Sequence, residues 1–274
     1  MPFISIEGAE LYYESHGEGP ALVLAHGMGG NHAIWFQQID TFARTNRVIV
    51  FDQRGFGLSK DLDGRGRSAF VDDLAALLDA LGEERVALLG QSMGAGTCIG
   101  FAARYPKRVA ALAVSSSLHG LIEPDDVKTI MDKARDATAN MDLIDRVLGD
   151  RTPRERPEMA RLYRLINSFN ATTRHNVTGS FYPIAPEALA EAGIPTLFIA
   201  GHEDKLFPVE AIRLMQERIA GSFLVEVVGA GHSAFFERPG EYNDTLLSLL
   251  QMAGHVGKTR PAHSNAAGYT PVAP

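Results

Sequence analysis

The sequence of 274 residues contains one cysteine, Cys98, so no disulfide can form within the chain and the fold cannot depend on oxidation. It also lacks a basic excess. Twenty-six lysines and arginines face 33 aspartates and glutamates, for a formal charge of −7. Without a positive surplus to displace counterions from phosphates, a nucleic-acid partner is not expected. No apolar run approaches the roughly 18 residues a membrane span needs, so no membrane partner is expected either. The opening stretch, MPFISIEGAE, has neither the basic n-region nor the long apolar core of a secretory signal, and the expected compartment is the cytoplasm. The glycines at 27, 29 and 30 are followed by no Lys-Ser/Thr pair and belong to no full G-x-G-x-x-G, so nucleotide binding is a poor second reading. The histidines are scattered, and His26 with His32 lacks a carboxylate at ligand spacing. No metal and no cofactor are expected.

What the sequence does contain is alternation. FISIEG and ELYYESHG read as a hairpin of alternating apolar and polar residues. ALVLAHG, RVIVFD, RVALLGQS, VAALAVSSS, PTLFIAG and FLVEVVGAG are near-continuous apolar runs, the pattern of strands buried on both faces of a parallel sheet. Between them, AFVDDLAALLDALG, VEAIRLMQERIAG, GEYNDTLLSLLQMAG and similar segments carry apolar residues at three- and four-residue spacing. The expected fold is therefore α/β, a mostly parallel sheet with helices on both faces. The alternation stops between 118 and 185, a polar-rich, all-helical stretch that reads as a cap inserted above the sheet. Residues 1–117 and 186–254 then form the core. From 255 to 274 the chain turns small, polar and proline-containing, the composition of a disordered tail.

Ligands of open α/β sheets bind outside the carboxyl ends of the strands. Here those ends carry His26-Gly27-Met28, Asp52-Gln53-Arg54, Gly90-Gln91-Ser92, Gly201-His202-Glu203-Asp204 and, after the last run, His232. Ser92 sits in Gly90-Gln91-Ser92-Met93-Gly94, which fits G-x-S-x-G, a match that chance alone produces about one time in eight in such a sequence. Serine, aspartate and histidine come in the chain order of hydrolases with a nucleophile elbow. A serine hydroxyl needs a base, and that base needs an orienting acid; His232 suits the first role at neutral pH.

The blocks HGMGGN, DQRGFGLS, GQSMGAG, GHEDKLFP and GAGHSAFFERP, in this order, resemble those of the α/β-hydrolase family, in particular its small capped esterase- and lactonase-like branch, over residues 3–252. The resemblance implies a Ser92–His232–Asp204 triad, since the family's G-x-x-D spacing falls on Gly201 and Asp204 and so favours Asp204 over Glu203. Glu123 is the fallback acid. It also implies an oxyanion hole from the backbone N–H groups of Met28 and Met93, with His26 supporting the oxyanion loop. Asp52 and Arg54 are expected to brace the loop after their strand, and Cys98 to be buried filler. His26, Gly27, Trp35, Leu121, Met141, Tyr163, Phe169, Tyr182 and Phe235 are candidates for contact with a small-molecule substrate. The expected reaction is hydrolysis of a carboxylic ester or lactone through an acyl-serine. The same residues could serve a C–C bond, thioester, amide or peracid, or the chain could bind a ligand without turning it over. Dehalogenase and epoxide hydrolase chemistry is disfavoured, because those relatives place aspartate where this chain has Ser92.

Overall fold

The computed structural model describes residues 3–259. Its nine strands are β1 (Phe3–Ile6), β2 (Ala9–His16), β3 (Ala21–Ala25), β4 (Arg47–Phe51), β5 (Lys60–Asp61), β6 (Val86–Gln91), β7 (Val109–Ser115), β8 (Thr196–Gly201) and β9 (Phe223–Val227). They form one sheet in the order β1-β2-β4-β3-β6-β7-β8-β9, with the short β5 paired to β2. The hairpin β1–β2 and the β2–β4 pair are antiparallel; from β4 to β9 every pairing is parallel. The helices are α1 (Phe36–Phe42), α2 (Phe70–Leu81), α3 (Met93–Arg104), α4 (Asp125–Thr138), α5 (Leu143–Val147), α6 (Thr152–Glu155), α7 (Pro157–Ser168), α8 (Pro186–Glu191), α9 (Val209–Gln216), α10 (Ala234–Glu237) and α11 (Pro239–Met252).

The continuous apolar runs are explained by two cores, one on each face. Along β3, Val23 faces one layer while Leu22 and Leu24 face the other; along β6, Leu88 opposes Ala87 and Leu89. The first layer is closed by Leu74 of α2, Ile99 of α3 and Ile212 of α9, the second by Phe42 of α1 and Leu246 of α11. Full burial of each such side chain stabilises the fold by roughly 1.5–3 kcal/mol, which makes strand register hard to shift.

The segment between β7 and β8 holds α4 to α8, and its apolar residues join these same layers. Val127 and Met131 of α4 pack into the first; Ile144 and Val147 of α5 and Tyr163 and Ile166 of α7 pack into the second. The tail expected to be disordered from 255 departs from that reading at its start. His255 Nε2 bonds the Ala21 carbonyl at 2.8 Å, and the Gly257 amide donates to the Thr45 carbonyl at 2.9 Å. The chain leaving α11 thus bonds back to the first residue of β3 and to the turn before β4. Residues 260–274 of that tail lie outside the described residues. Among the described residues, no helix is long and apolar enough to cross a membrane.

Candidate active site

Ser92 closes β6 and opens α3 with φ 50° and ψ −117°. A residue with a Cβ in this region is strained by of order 1–3 kcal/mol, so the surroundings must hold it there. They do so through its backbone. The Ser92 N–H donates to the Ser115 carbonyl at 2.9 Å, and Ser117 Oγ donates to the Ser92 carbonyl at 2.8 Å. The serine run after β7, which carried no meaning in the sequence, is thus a clamp on the turn. Gly90 and Gly94 are required by close approach. A Cβ on Gly90 would stand 2.5 Å from the Ala95 Cα, and one on Gly94 would run into the Ala25 carbonyl.

Asp204 follows β8, and its side chain is sealed from solvent. Oδ1 accepts the Leu206 and Phe207 amides at 2.8 and 3.0 Å, while Oδ2 meets His232 Nδ1 at 2.9 Å. Every lone pair used here faces a donor, which fixes the direction of the carboxylate. The Phe207 ring stacks on the imidazole, centroids 5.7 Å apart and planes 16° apart. The loops of Asp204 and His232 can touch because Gly201 has no side chain; a Cβ there would strike the Gly231 carbonyl. Glu237 fixes the same loop from behind. Its Oε1 accepts the Gly231 amide at 2.8 Å, and its Oε2 accepts the Gly149 amide and the Thr152 hydroxyl of the segment between β7 and β8 at 2.8 and 2.6 Å. Glu203 spends its carboxylate on the Asp150 amide at 3.2 Å, away from His232, and Glu123 pairs with Arg135.

Ser92, His232, Met28 and Met93 line one cavity of about 700 Å³. Among the described residues, the amides of Met28 and Met93 meet no protein acceptor. The loop bearing Met28 is held by His26, whose Nδ1 bonds the Gly27 carbonyl at 2.8 Å while its Nε2 accepts the Gln53 amide at 3.0 Å. Burial depresses the pKa of His26, which suits a ring used once as donor and once as acceptor. Asp52 accepts the His32 and Leu58 amides at 2.6 and 2.8 Å, and Arg54 forks onto Asp73 at 2.7 and 2.6 Å; both brace the loop after β4.

Of the nine substrate-contact candidates, Met141 and Tyr163 line the cavity. His26 and Gly27 sit behind it: the imidazole is consumed by the loop, and a Cβ at Gly27 would come 3.0 Å from the Ser92 Cβ. Trp35 and Phe235 pack on each other at 4.7 Å inside the second core, and Leu121 belongs to the first. Phe169 and Tyr182 point outward, 67% and 82% exposed. Aromatic character near a motif loop signalled core or surface here, because burial is set by neighbours distant in sequence. The cavity wall instead holds residues that composition did not single out, among them Arg67, His119, Arg146 and Arg174. Burial and then the Arg67 charge push His119 down to about 4, so it is neutral at physiological pH. Burial pushes the Tyr163 hydroxyl up to about 12. Cys98 is buried on α3 with its thiol pKa pushed up by burial, consistent with packing rather than reactivity. Among the described residues, no group of three or more His, Cys, Asp or Glu could hold a metal ion.

The family model of the alpha/beta hydrolase fold matches residues 20–147 and 137–239, and the chain belongs to that family. The structure of Est816, presented as an N-acyl homoserine lactone degrading enzyme, is 31% identical, covers 90% of this chain and 99% of its own, and superposes with a TM-score of 0.76. A thermophilic esterase from Thermogutta terrifontis superposes at 0.77 with 26% identity, covering 93% of this chain and 98% of its own. In sequence, the putative carbamate hydrolase RutD of Azorhizobium caulinodans is 27% identical over 91% of this chain and 98% of its own length. The 3-oxoadipate enol-lactonase 1 of Acinetobacter baylyi is 26% identical over 81% and 85%.

Proposed function

We propose that this chain hydrolyses a carboxylic ester or lactone through an acyl-Ser92 intermediate. The observation that carries the reading is Ser92, held on a strained turn, opening into the same cavity as a histidine locked to a buried aspartate. With Nδ1 bonded to Asp204, His232 keeps Nε2 for the nucleophile. Nε2 takes the Ser92 proton as Oγ bonds the carbonyl carbon, and the developing oxyanion is received by the amides of Met28 and Met93. The intermediate collapses, His232 returns the proton to the leaving oxygen, and the acyl-enzyme forms. Water deprotonated by the same nitrogen then attacks the acyl carbon, the bond to Oγ breaks as His232 returns the proton to Ser92, and the acid is released. Asp204 stays ionised throughout, stabilising the imidazolium.

The esterase and lactonase among the similar structures support this bond type, as does the enol-lactonase relative. A fluorophosphonate should label the protein once, at Ser92, and a panel of p-nitrophenyl esters should be turned over. Labelling at another serine, or equal labelling of His232→Ala, would sink the assignment. Relatives named as 2-hydroxy-6-oxo-dienoate hydrolases keep C–C cleavage by the same groups as the second reading. A vinylogous diketone consumed faster than any ester would select it.

A further inference from the structure

The cavity above Ser92 carries charge that acyl transfer does not use. Four arginines, Arg67, Arg135, Arg146 and Arg174, line it against one carboxylate, Asp142. That carboxylate is taken by Arg164, and Arg135 is taken by Glu123 and Asp132. Arg67 gives its Nε to the Gly179 carbonyl at 3.0 Å, and Arg174 gives an Nη to the Ala139 carbonyl at 2.8 Å and its Nε to His175 at 3.1 Å. Arg146, on α5, is different. Among the described residues its side chain makes no hydrogen bond or ion pair, and its Nε is buried without a partner. The residue is half-buried, so the cost falls on that one buried donor, and it is relieved when an acceptor meets it. Burial and the neighbouring charge of Arg174 both act against its protonated form, so the strain has the sign that an incoming anion relieves.

The site is connected to the reacting end of the cavity. Tyr163 feels the charge of Arg146 on one side, and its hydroxyl lies 3.0 Å from where a Cβ on Gly29 would stand, next to Met28 of the oxyanion loop. We propose that Arg146, with Arg174 beside it, is an anion subsite of the catalytic cavity, and that the substrate is an ester or lactone bearing a carboxylate at the end remote from the scissile bond. The guanidinium fork matches two carboxylate oxygens, and a cavity with no free carboxylate of its own does not repel the ligand. This inference rests on the acyl-transfer reading for the word ester, and on the arginines alone for the anion.

The test separates the two. Mono-p-nitrophenyl glutarate is compared with the ester of glutaramic acid, its neutral isostere, in wild type and Arg146→Met. The acid should be preferred by roughly 10- to 100-fold in kcat/KM, the worth of a charge-assisted hydrogen bond, and the variant should lose most of that ratio. Because no partner is orphaned, Arg146→Met should melt no lower than wild type; a clear fall in Tm would make the arginine structural and overturn the proposal. Calorimetric titration with glutarate and glutaramide runs in parallel. If neither ester is hydrolysed but glutarate binds more tightly than glutaramide and only while Arg146 is present, the anion subsite stands and ester hydrolysis falls. Equal handling of acid and amide in both assays overturns the subsite whatever the enzyme does to esters. Inorganic phosphate competing better than glutarate would reassign it from carboxylates to phosphate esters.

Discussion

The floor of the cavity and its roof are built in opposite ways. On the floor, at the carboxyl ends of β3, β6 and β8, the groups that set the geometry are tied down: Asp204 uses three donors, His26 both ring nitrogens, and Ser92 its amide and carbonyl. Glycines let the loops meet there. On the roof, α4 and α5 bring Arg135 and Arg146 into the cavity and the stretch after α7 brings Arg174, with the Nε of Arg146 left without a partner. A site that must hold one geometry needs its positioning groups fixed by hydrogen bonds, leaving only the donors that face the cavity. A roof that receives a ligand keeps a donor in reserve.

That contrast can be broken most sharply at Ser92. Ser92→Ala should lower kcat/KM by at least about 10³-fold while leaving Tm unchanged or raised, since the strained turn keeps its backbone bonds. Steady-state kinetics with a melting curve checks both parts, and near wild-type turnover would refute the elbow. Next, Asp204→Asn should cost about 10²- to 10⁴-fold, because an amide cannot stabilise the imidazolium and can favour the wrong tautomer of His232. Glu203→Gln should cost at least about an order of magnitude less, as its carboxylate only meets the Asp150 amide. Equal losses in kcat for the two variants would redraw the acid.

Glu237 ties floor to roof, so its replacement should act on stability before chemistry. In Glu237→Gln one of three donors faces an amide N–H, an uncompensated buried contact worth about 1–3 kcal/mol. For a chain of this size that is a fall in Tm of roughly 2–4 °C per kcal/mol, readable by calorimetry. An unchanged Tm would show that the segment between β7 and β8 is held elsewhere.

The smallest effect concerns pH. Burial pulls the His32 pKa down, but the hydrogen bond to Asp52 at 2.8 Å and the Asp52 charge outweigh it, and the net shift is upward. A raised histidine stabilises the fold fully below its unfolded pKa near 6.5, and that contribution is lost as pH rises through the folded value. His26, depressed by burial, acts with the opposite sign, so its contribution is present above pH 6.5 and lost as pH falls. The wild-type minus His32→Gln difference in unfolding free energy should therefore be largest near pH 6, about 1 kcal/mol, and shrink toward pH 8. A difference that grew with pH would reverse the assigned shift.

Much of this protein was legible in the chain alone. Period-two and continuous apolar runs announced a sheet buried on both faces, and strand ends announced where polar residues would gather, because backbone geometry forces chemistry to the carboxyl edge of a parallel sheet. The spacing of Ser92 between Gly90 and Gly94 was readable for the same reason: the constraint is local, within one turn. What only the tertiary structure decided is which distant residues share a wall. Ser115 at the end of the neighbouring strand and Ser117 just beyond it clamp Ser92, Glu237 reaches Thr152 85 residues away, and Arg146 rather than Trp35 or Phe235 faces the cavity. A side chain's exposure depends on every element packed around it, and no periodicity within one helix encodes where another helix will lie.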